Sequence, residues 1–218
     1  MKKILIMFSI ASIVIIASVI VFIYEFNRKS YKQYTNSDFN IETYTSDIDK
    51  DNDGIDDQTD ILNNVKQYIA SKPKYKSQYY GTGYPNDGYG VCTDVVAFGL
   101  KDAGYDLMEL VNEDITKHNE RYNIETIDKN IDFRRVRNLD IYFKNNNISL
   151  STDLSKIEDW QGGDIIVFKD HIGIISDKRN KEGIPLLIHH ATPSQENYEE
   201  DVIELYGQDN IIGHYRIT

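Results

Sequence analysis

One cysteine and five histidines carry most of the reactive chemistry in this 218-residue chain. Cys92 follows a glycine- and proline-bearing tract, Tyr79 to Gly90, that reads as loop. It opens the pattern Val95, Val96, Phe98, Gly99, Leu100, which predicts a helix closing at Ala103-Gly104. A thiol at a helix N-terminus feels partial positive charge, which favours thiolate, the nucleophilic form. The competing role for a lone cysteine is that of a small buried hydrophobe. A nucleophile needs a base, and the histidines are His118, His171, His189, His190 and His214. His118 lies in a polar tract and His214 suits a satisfied core position, so neither is given a catalytic role.

The second half of the chain supplies the elements that would position the other three. Asp164 to Phe168, His171 to Ser176, Ile184 to Ile188 and Ile211 to Ile217 read as strands. The two-residue connection Lys169-Asp170 implies antiparallel neighbours. His171 then begins one strand where His189 and His190 end the next, so His171 and one of that pair meet at one sheet edge. This is the arrangement of a base and its orienting partner. A histidine metal site is the rival use, but no HExxH-type helix pairing is present.

An acidic loop precedes this domain. Oxygen ligands at Asp49, Asp51, Asp53, Asp57 and Asp60, with the Ile55 carbonyl and a turn at Gly54, follow the spacing of a calcium loop. Asp60 stands where a standard EF-hand has glutamate, as in dockerin-like single loops. The segment Ile61 to Ile69 has helical spacing, so residues 49–72 read as a loop-helix half-hand holding structural Ca2+. The alternative is a solvated acidic linker.

The chain opens Met-Lys-Lys and runs from Ile4 to Tyr24 without a charge. As a helix that run reaches about 30 Å, the thickness of a bilayer core. Residues 1–29 are read as an uncleaved signal-anchor, a cleaved signal being the alternative, and residues 30–48 as a polar stalk. The net charge of -11 argues against nucleic acid, whose phosphates need clustered Lys and Arg. The calcium-type loop favours a domain outside the cytoplasm. Hydrophobic content of 40% is enough for a packed core, and a single cysteine excludes an internal disulfide.

Several stretches carry a resemblance. Gly90-Val91-Cys92-Thr93-Asp94-Val95-Val96, Asn112-Glu113-Asp114, Asn130 to Leu139, Gly163-Asp164-Ile165-Ile166 and His171 to Asp177 resemble the YijF-like domain family of unknown function. The order of a Cys-bearing helix, Gly-Asp before a strand and His-x-Gly-Ile is also similar to NlpC-type papain-like cell-wall peptidases. That likeness implies an α+β papain-like fold over residues 73–218, with the Cys helix packed on an antiparallel sheet. It implies amide hydrolysis by Cys92 as nucleophile, His171 as base and His189 as third member, with His190 as the alternative alignment. It makes peptidoglycan peptides the substrate class and aligns Tyr80 with a tyrosine near the oxyanion. The peptidases carry Asp-Cys-Ser-Gly where this chain has Val91 to Asp94, a departure that leaves the substrate open and the implied chemistry unchanged. Arg134 and Arg135 have two readings, a grip on a substrate carboxylate or a structural ion pair. The contrasting function is a calcium-stabilised binding or adhesion module without turnover.

Overall fold

The runs Ile165–Phe168 and Pro185–Ile188 are buried at every position. Strands without polar alternation need cover on both faces, and that requirement shapes the fold. The computed structural model describes residues 33–217, so the anchor expected at residues 1–29 lies outside the described residues. Among the described residues no helix is long and apolar enough to cross a membrane.

Among the described residues five helices dominate the first half: α1 (Asp57–Ala70), α2 (Cys92–Asp102), α3 (Leu107–Tyr122), the one-turn α4 (Lys129–Asp132) and α5 (Val136–Asn146). Between α1 and α2 the two-residue strands β1 (Lys74–Tyr75) and β2 (Tyr89–Gly90) pair in parallel. The second half forms a six-stranded sheet from β3 (Ile148–Ser149), β4 (Ile165–Phe168), β5 (Ile172–Arg179), β6 (Pro185–Ile188), β7 (Glu199–Glu200) and β8 (Ile211–Arg216). Its order is β3-β8-β4-β5-β6-β7 and every pairing is antiparallel. The α+β class with an antiparallel sheet is as expected. A short helix, α6 (Ile203–Tyr206), returns the chain from β7 towards β8.

Alternation along the strands divides the core. Ile165, Val167, Ile172, Ile174 and Ile188 pack with Ile61, Val65, Val95, Val96 and Leu100 of α1 and α2. Ile166, Phe168, Ile175 and Leu187 pack on the other face with Trp160, Leu154 and Ile203. The Cys-bearing helix therefore lies on the sheet.

Asp164 joins the two halves. It is fully buried, and its oxygens accept from Arg216 Nε and Nη2, each at 2.8 Å, from His214 Nε2 at 3.0 Å and from Gln58 Nε2 of α1 at 3.0 Å. The other nitrogen of His214 meets the Ser151 carbonyl at 2.7 Å, and its ring stacks on Trp160. His214 is thus a satisfied core histidine. Gly163 adopts φ +94°, and a Cβ there would meet the Gln58 carbonyl at 2.6 Å. The Gly-Asp pair is what lets α1 seat on the sheet.

The segment read as a stalk runs along this body from Tyr34 onward. Tyr34 bridges to Arg179 in antiparallel fashion. Asn36 is buried, bonding Gln161 at 2.8 Å and accepting from Arg179 Nε at 2.6 Å. Tyr44 lies against the Arg216 guanidinium. These polar residues serve partners more than a hundred positions away, so no local period marks them.

Removing one member of a buried ionic cluster strands the rest. Asp164→Ala should lower unfolding stability by about 3–5 kcal/mol in a urea titration, whereas a loss under 1 kcal/mol would remove Asp164 from its joining role.

Candidate functional site

Cys92 is the first residue of α2, and Val91 caps that helix. Asp94 accepts the Val91 N–H at 2.8 Å and is itself held by Arg134 through Nε at 2.7 Å and Nη2 at 2.9 Å. Asp94 and Arg134 are both buried, and Arg134 also reaches the Gln78 carbonyl. Of the two readings of the arginine pair, Arg134 therefore makes a structural ion pair that fixes the start of the Cys helix. Arg135 is exposed and stands outside it.

The sulfur lies against the backbone of Ile172, whose N–H donates to it. Ile172 directly follows His171. Tyr206 of α6 lies close enough to Cys92 for its charge to weigh on the tyrosine, and the Tyr206 ring stacks on His171 with centroids 5.2 Å apart. Cys92, His171 and Tyr206 thus converge at the start of β5.

The β4–β5 hairpin turns through Lys169-Asp170, with Phe168 N–H donating to the His171 carbonyl at 2.8 Å. In the β5–β6 pairing Ile174 faces Ile188, so His171 and His189 are diagonal neighbours on one face. Their rings meet, His171 Nε2 to His189 Nδ1, at 2.8 Å. A Cβ on Gly173 would meet the Ile188 carbonyl at 2.7 Å and His189 Cβ at 3.3 Å, so a glycine is needed for this approach. His190 points to the opposite face, edge-on to Tyr75 and Tyr198, and its Nδ1 has no partner. His189, not His190, is the residue brought to His171.

The chain of contacts continues beyond the histidines. His189 Nε2 meets Glu200 Oε2 at 3.1 Å, and Gln195 Nε2 donates to the same oxygen at 3.0 Å. An ionised Glu200 can only accept, so His189 carries its proton on Nε2 and presents a lone pair at Nδ1. His171 must then donate from Nε2, which leaves its Nδ1 as a lone pair. No hydrogen bond engages that nitrogen among the described residues. Glu200, Gln195 and Tyr206 were missed from sequence. Glu200 sits on a two-residue strand and Tyr206 on a one-turn helix, where no periodicity singles out a residue.

Ionisation differs from the sequence expectation in one respect. Burial pushes the Cys92 thiol up to about 11, outweighing the Ile172 and Thr93 amides that favour thiolate. The helix terminus alone therefore does not ionise it. Burial also takes His171 down to about 4 and His189 to about 3, the neighbouring imidazoles adding to the second shift. At neutral pH this corner holds a neutral thiol and two neutral imidazoles.

Two further expected positions are engaged elsewhere. The Tyr80 hydroxyl donates to Asp87 at 2.9 Å, and Arg134 lies over its ring. In the acidic loop, Asp49, Asp51 and Asp53 bring carboxylate oxygens within 4.8 Å of one another. Asp60 is buried beside them, its carboxyl pushed up to about 6 by burial and by the charges of Asp53 and Asp51. Asp57, however, is drawn inward to the Tyr105 hydroxyl and the Lys50 N–H. No side-chain contact marks the Ile55 carbonyl, while the Ile55 N–H donates to Asp53. The oxygen set that converges is thus smaller than the spacing predicts. His118 lies at a kink in α3 beside Glu120 on the surface.

The buried imidazoles have a consequence for stability. Their folded values lie below the ordinary 6.5, so the unfolded chain binds more protons between those limits. Their contribution is complete above about pH 6.5 and is lost as pH falls towards 4 and then 3. Urea midpoints should fall across that window, and His189→Gln should flatten the fall; an unchanged slope in the variant would contradict the burial of a neutral pair.

Comparison with known proteins bears on the same residues. Residues 62–217 match the family model described as Domain of unknown function (DUF1287). The uncharacterized protein YijF of Escherichia coli (strain K12) is 33% identical over 169 residues, covering 72% of this chain and 80% of YijF. No solved structure matches. The stretch that contains Cys92, His171, His189, Glu200 and Tyr206 lies within the matched span, and the chain belongs to the DUF1287 family, the YijF-like domains.

Proposed function

We propose that this chain is a cysteine hydrolase of the papain-like, NlpC type that cleaves an amide bond in cell-wall peptides. In this reading residues 1–29 anchor it in the cell membrane with the domain outside. The observation that carries the reading is the ordered chain Glu200–His189–His171, whose last free nitrogen belongs to the residue before Ile172, the residue whose N–H meets the Cys92 thiol.

The neutral resting state implies attack with concerted proton transfer rather than a standing ion pair. Sγ of Cys92 bonds to the amide carbon while His171 Nδ1 takes the thiol proton. The carbonyl oxygen becomes an oxyanion facing the backbone donors at the start of α2. Its collapse breaks the C–N bond, and the leaving amine takes the proton back from His171. Water then hydrolyses the thioester, with His171 as base again. His189 keeps His171 in the competent tautomer, and Glu200 stabilises the imidazolium that forms at each step. Removing the base should reduce turnover by about 10²–10⁴.

Calcium has a structural place in this reading. Asp49, Asp51 and Asp53 on the turn that leads into α1, with Asp60 in the first turn of α1, are hard oxygen donors suited to Ca2+. The ion would offset their mutual repulsion and stiffen the entry to the domain.

Two measurements follow. Iodoacetamide alkylation of Cys92 at pH 7 should be slowed by His171→Gln, with the two rates converging near pH 11, where the thiol ionises unaided; superimposable profiles would contradict a base at His171. Millimolar calcium should raise the melting temperature by about 2–4 °C for each kcal/mol of linkage, and Asp51→Asn should abolish the rise. An unshifted wild-type melt would remove the ion from the account.

A further inference from the structure

Beside the start of the Cys helix the surface opens into a cleft of about 360 Å³. Val91, the residue before Cys92, lines it together with Tyr79, Ile131, Asp128 and Arg135. Arg134 reaches the same cleft, but its guanidinium is held by Asp94 and the Gln78 carbonyl. Arg135 is different. Its guanidinium makes no hydrogen bond or close ion pair among the described residues, and the nearby Asp132 carboxylate, which feels its charge, is turned to the Asp128 N–H. The other described arginines are engaged: Arg121 with Asp114, Arg137 with the Tyr122 carbonyl, Arg179 with Asn36 and Arg216 with Asp164. In a chain of net charge -11, carboxylates outnumber cations, so an exposed arginine with no carboxylate in hydrogen-bond contact is an exception.

Asp128 supplies the opposite charge. One of its oxygens accepts the Asn130 N–H at 3.0 Å, and it forms no ion pair with Arg135. An anion and a cation that line one cleft without pairing suit a ligand group carrying both charges, and they suit a phosphate or other polyanion poorly. Tyr79, 56% exposed, adds an aromatic face at the rim.

We propose that this cleft is a subsite for a zwitterionic amino-acid end of the substrate, with Arg135 taking its carboxylate and Asp128 its ammonium. The subsite rests on Cys92 being the nucleophile, because the cleft begins at the residue before it. The group it holds is one whose reacting amide lies a short chain away from a free amino acid centre.

Alkylation rates of the full chain at pH 8 test this with three probes. Nε-bromoacetyl-lysine carries both charges, its Nα-acetyl derivative only the carboxylate, and its carboxamide only the ammonium. The first should modify Cys92 about two- to fivefold faster than either of the others, as partly exposed ion pairs allow. Arg135→Gln should erase the preference over the carboxamide. Asp128→Asn, which keeps the helix cap, should erase the preference over the acetyl derivative. Equal rates for the three probes, or preferences that survive both substitutions, overturn the subsite. Iodoacetamide should alkylate wild type and both variants at one rate, since it carries neither charge. A Cys92 that resists iodoacetamide and every probe overturns the nucleophile reading, and the subsite falls with it.

Discussion

Two imidazoles 2.8 Å apart and largely shielded from water cannot both carry charge. Burial keeps each neutral in the resting site near pH 7, so each donates once and accepts once. Which nitrogen donates is then decided by the carboxylate at the far end, Glu200, because it can only accept. One lone pair remains, on Nδ1 of His171. The rest of the corner follows from keeping those rings in place: a two-residue turn before His171, a glycine at position 173 so that the neighbouring strand can close in, and the Tyr206 ring stacked on the outer face.

The thiol is delivered to this corner by separate devices. Asp94 and Arg134 fix the first turn of α2, so Cys92 cannot drift from the Ile172 amide. Asp164 ties α1 to the last strand, and α1 packs directly against α2. Both devices are buried ion clusters with most of their donors satisfied. Such clusters add little net stability compared with apolar packing, but they admit few alternative geometries. The proton transfer proposed for this site, over hydrogen-bond distances, needs that restriction more than it needs extra stability.

Much of this was legible. The helix beginning at Cys92, the short β4–β5 turn and the antiparallel pairing that sets His171 beside the end of β6 all follow from local patterns of glycine and apolar residues. Choosing His189 over His190 depended on which of two successive strand residues shares a face with His171, and that is set by register between distant segments. The helix terminus that favours thiolate is visible in sequence, whereas the burial that opposes ionisation comes from tertiary packing. Asp57 shows the same limit: its spacing marks it as a cation ligand, but Tyr105, far along the chain, draws it inward. The polar segment from Tyr34 docks through Asn36 and Arg179, a contact that no composition reveals.

In the proposed reading, the histidine corner, the acidic turn at the domain entry and the apolar N-terminal run are the parts of a hydrolase held at the outer face of a membrane. The account stands or falls on covalent cleavage of an amide by Cys92 with His171 as its base. The most direct test is to incubate the full chain with purified cell-wall peptides and read the products by mass spectrometry. The account predicts paired fragments whose summed mass exceeds the parent by one water, produced by wild type and absent with Cys92→Ser and His171→Gln. Intact peptides in every reaction, or fragments undiminished by either substitution, would contradict it.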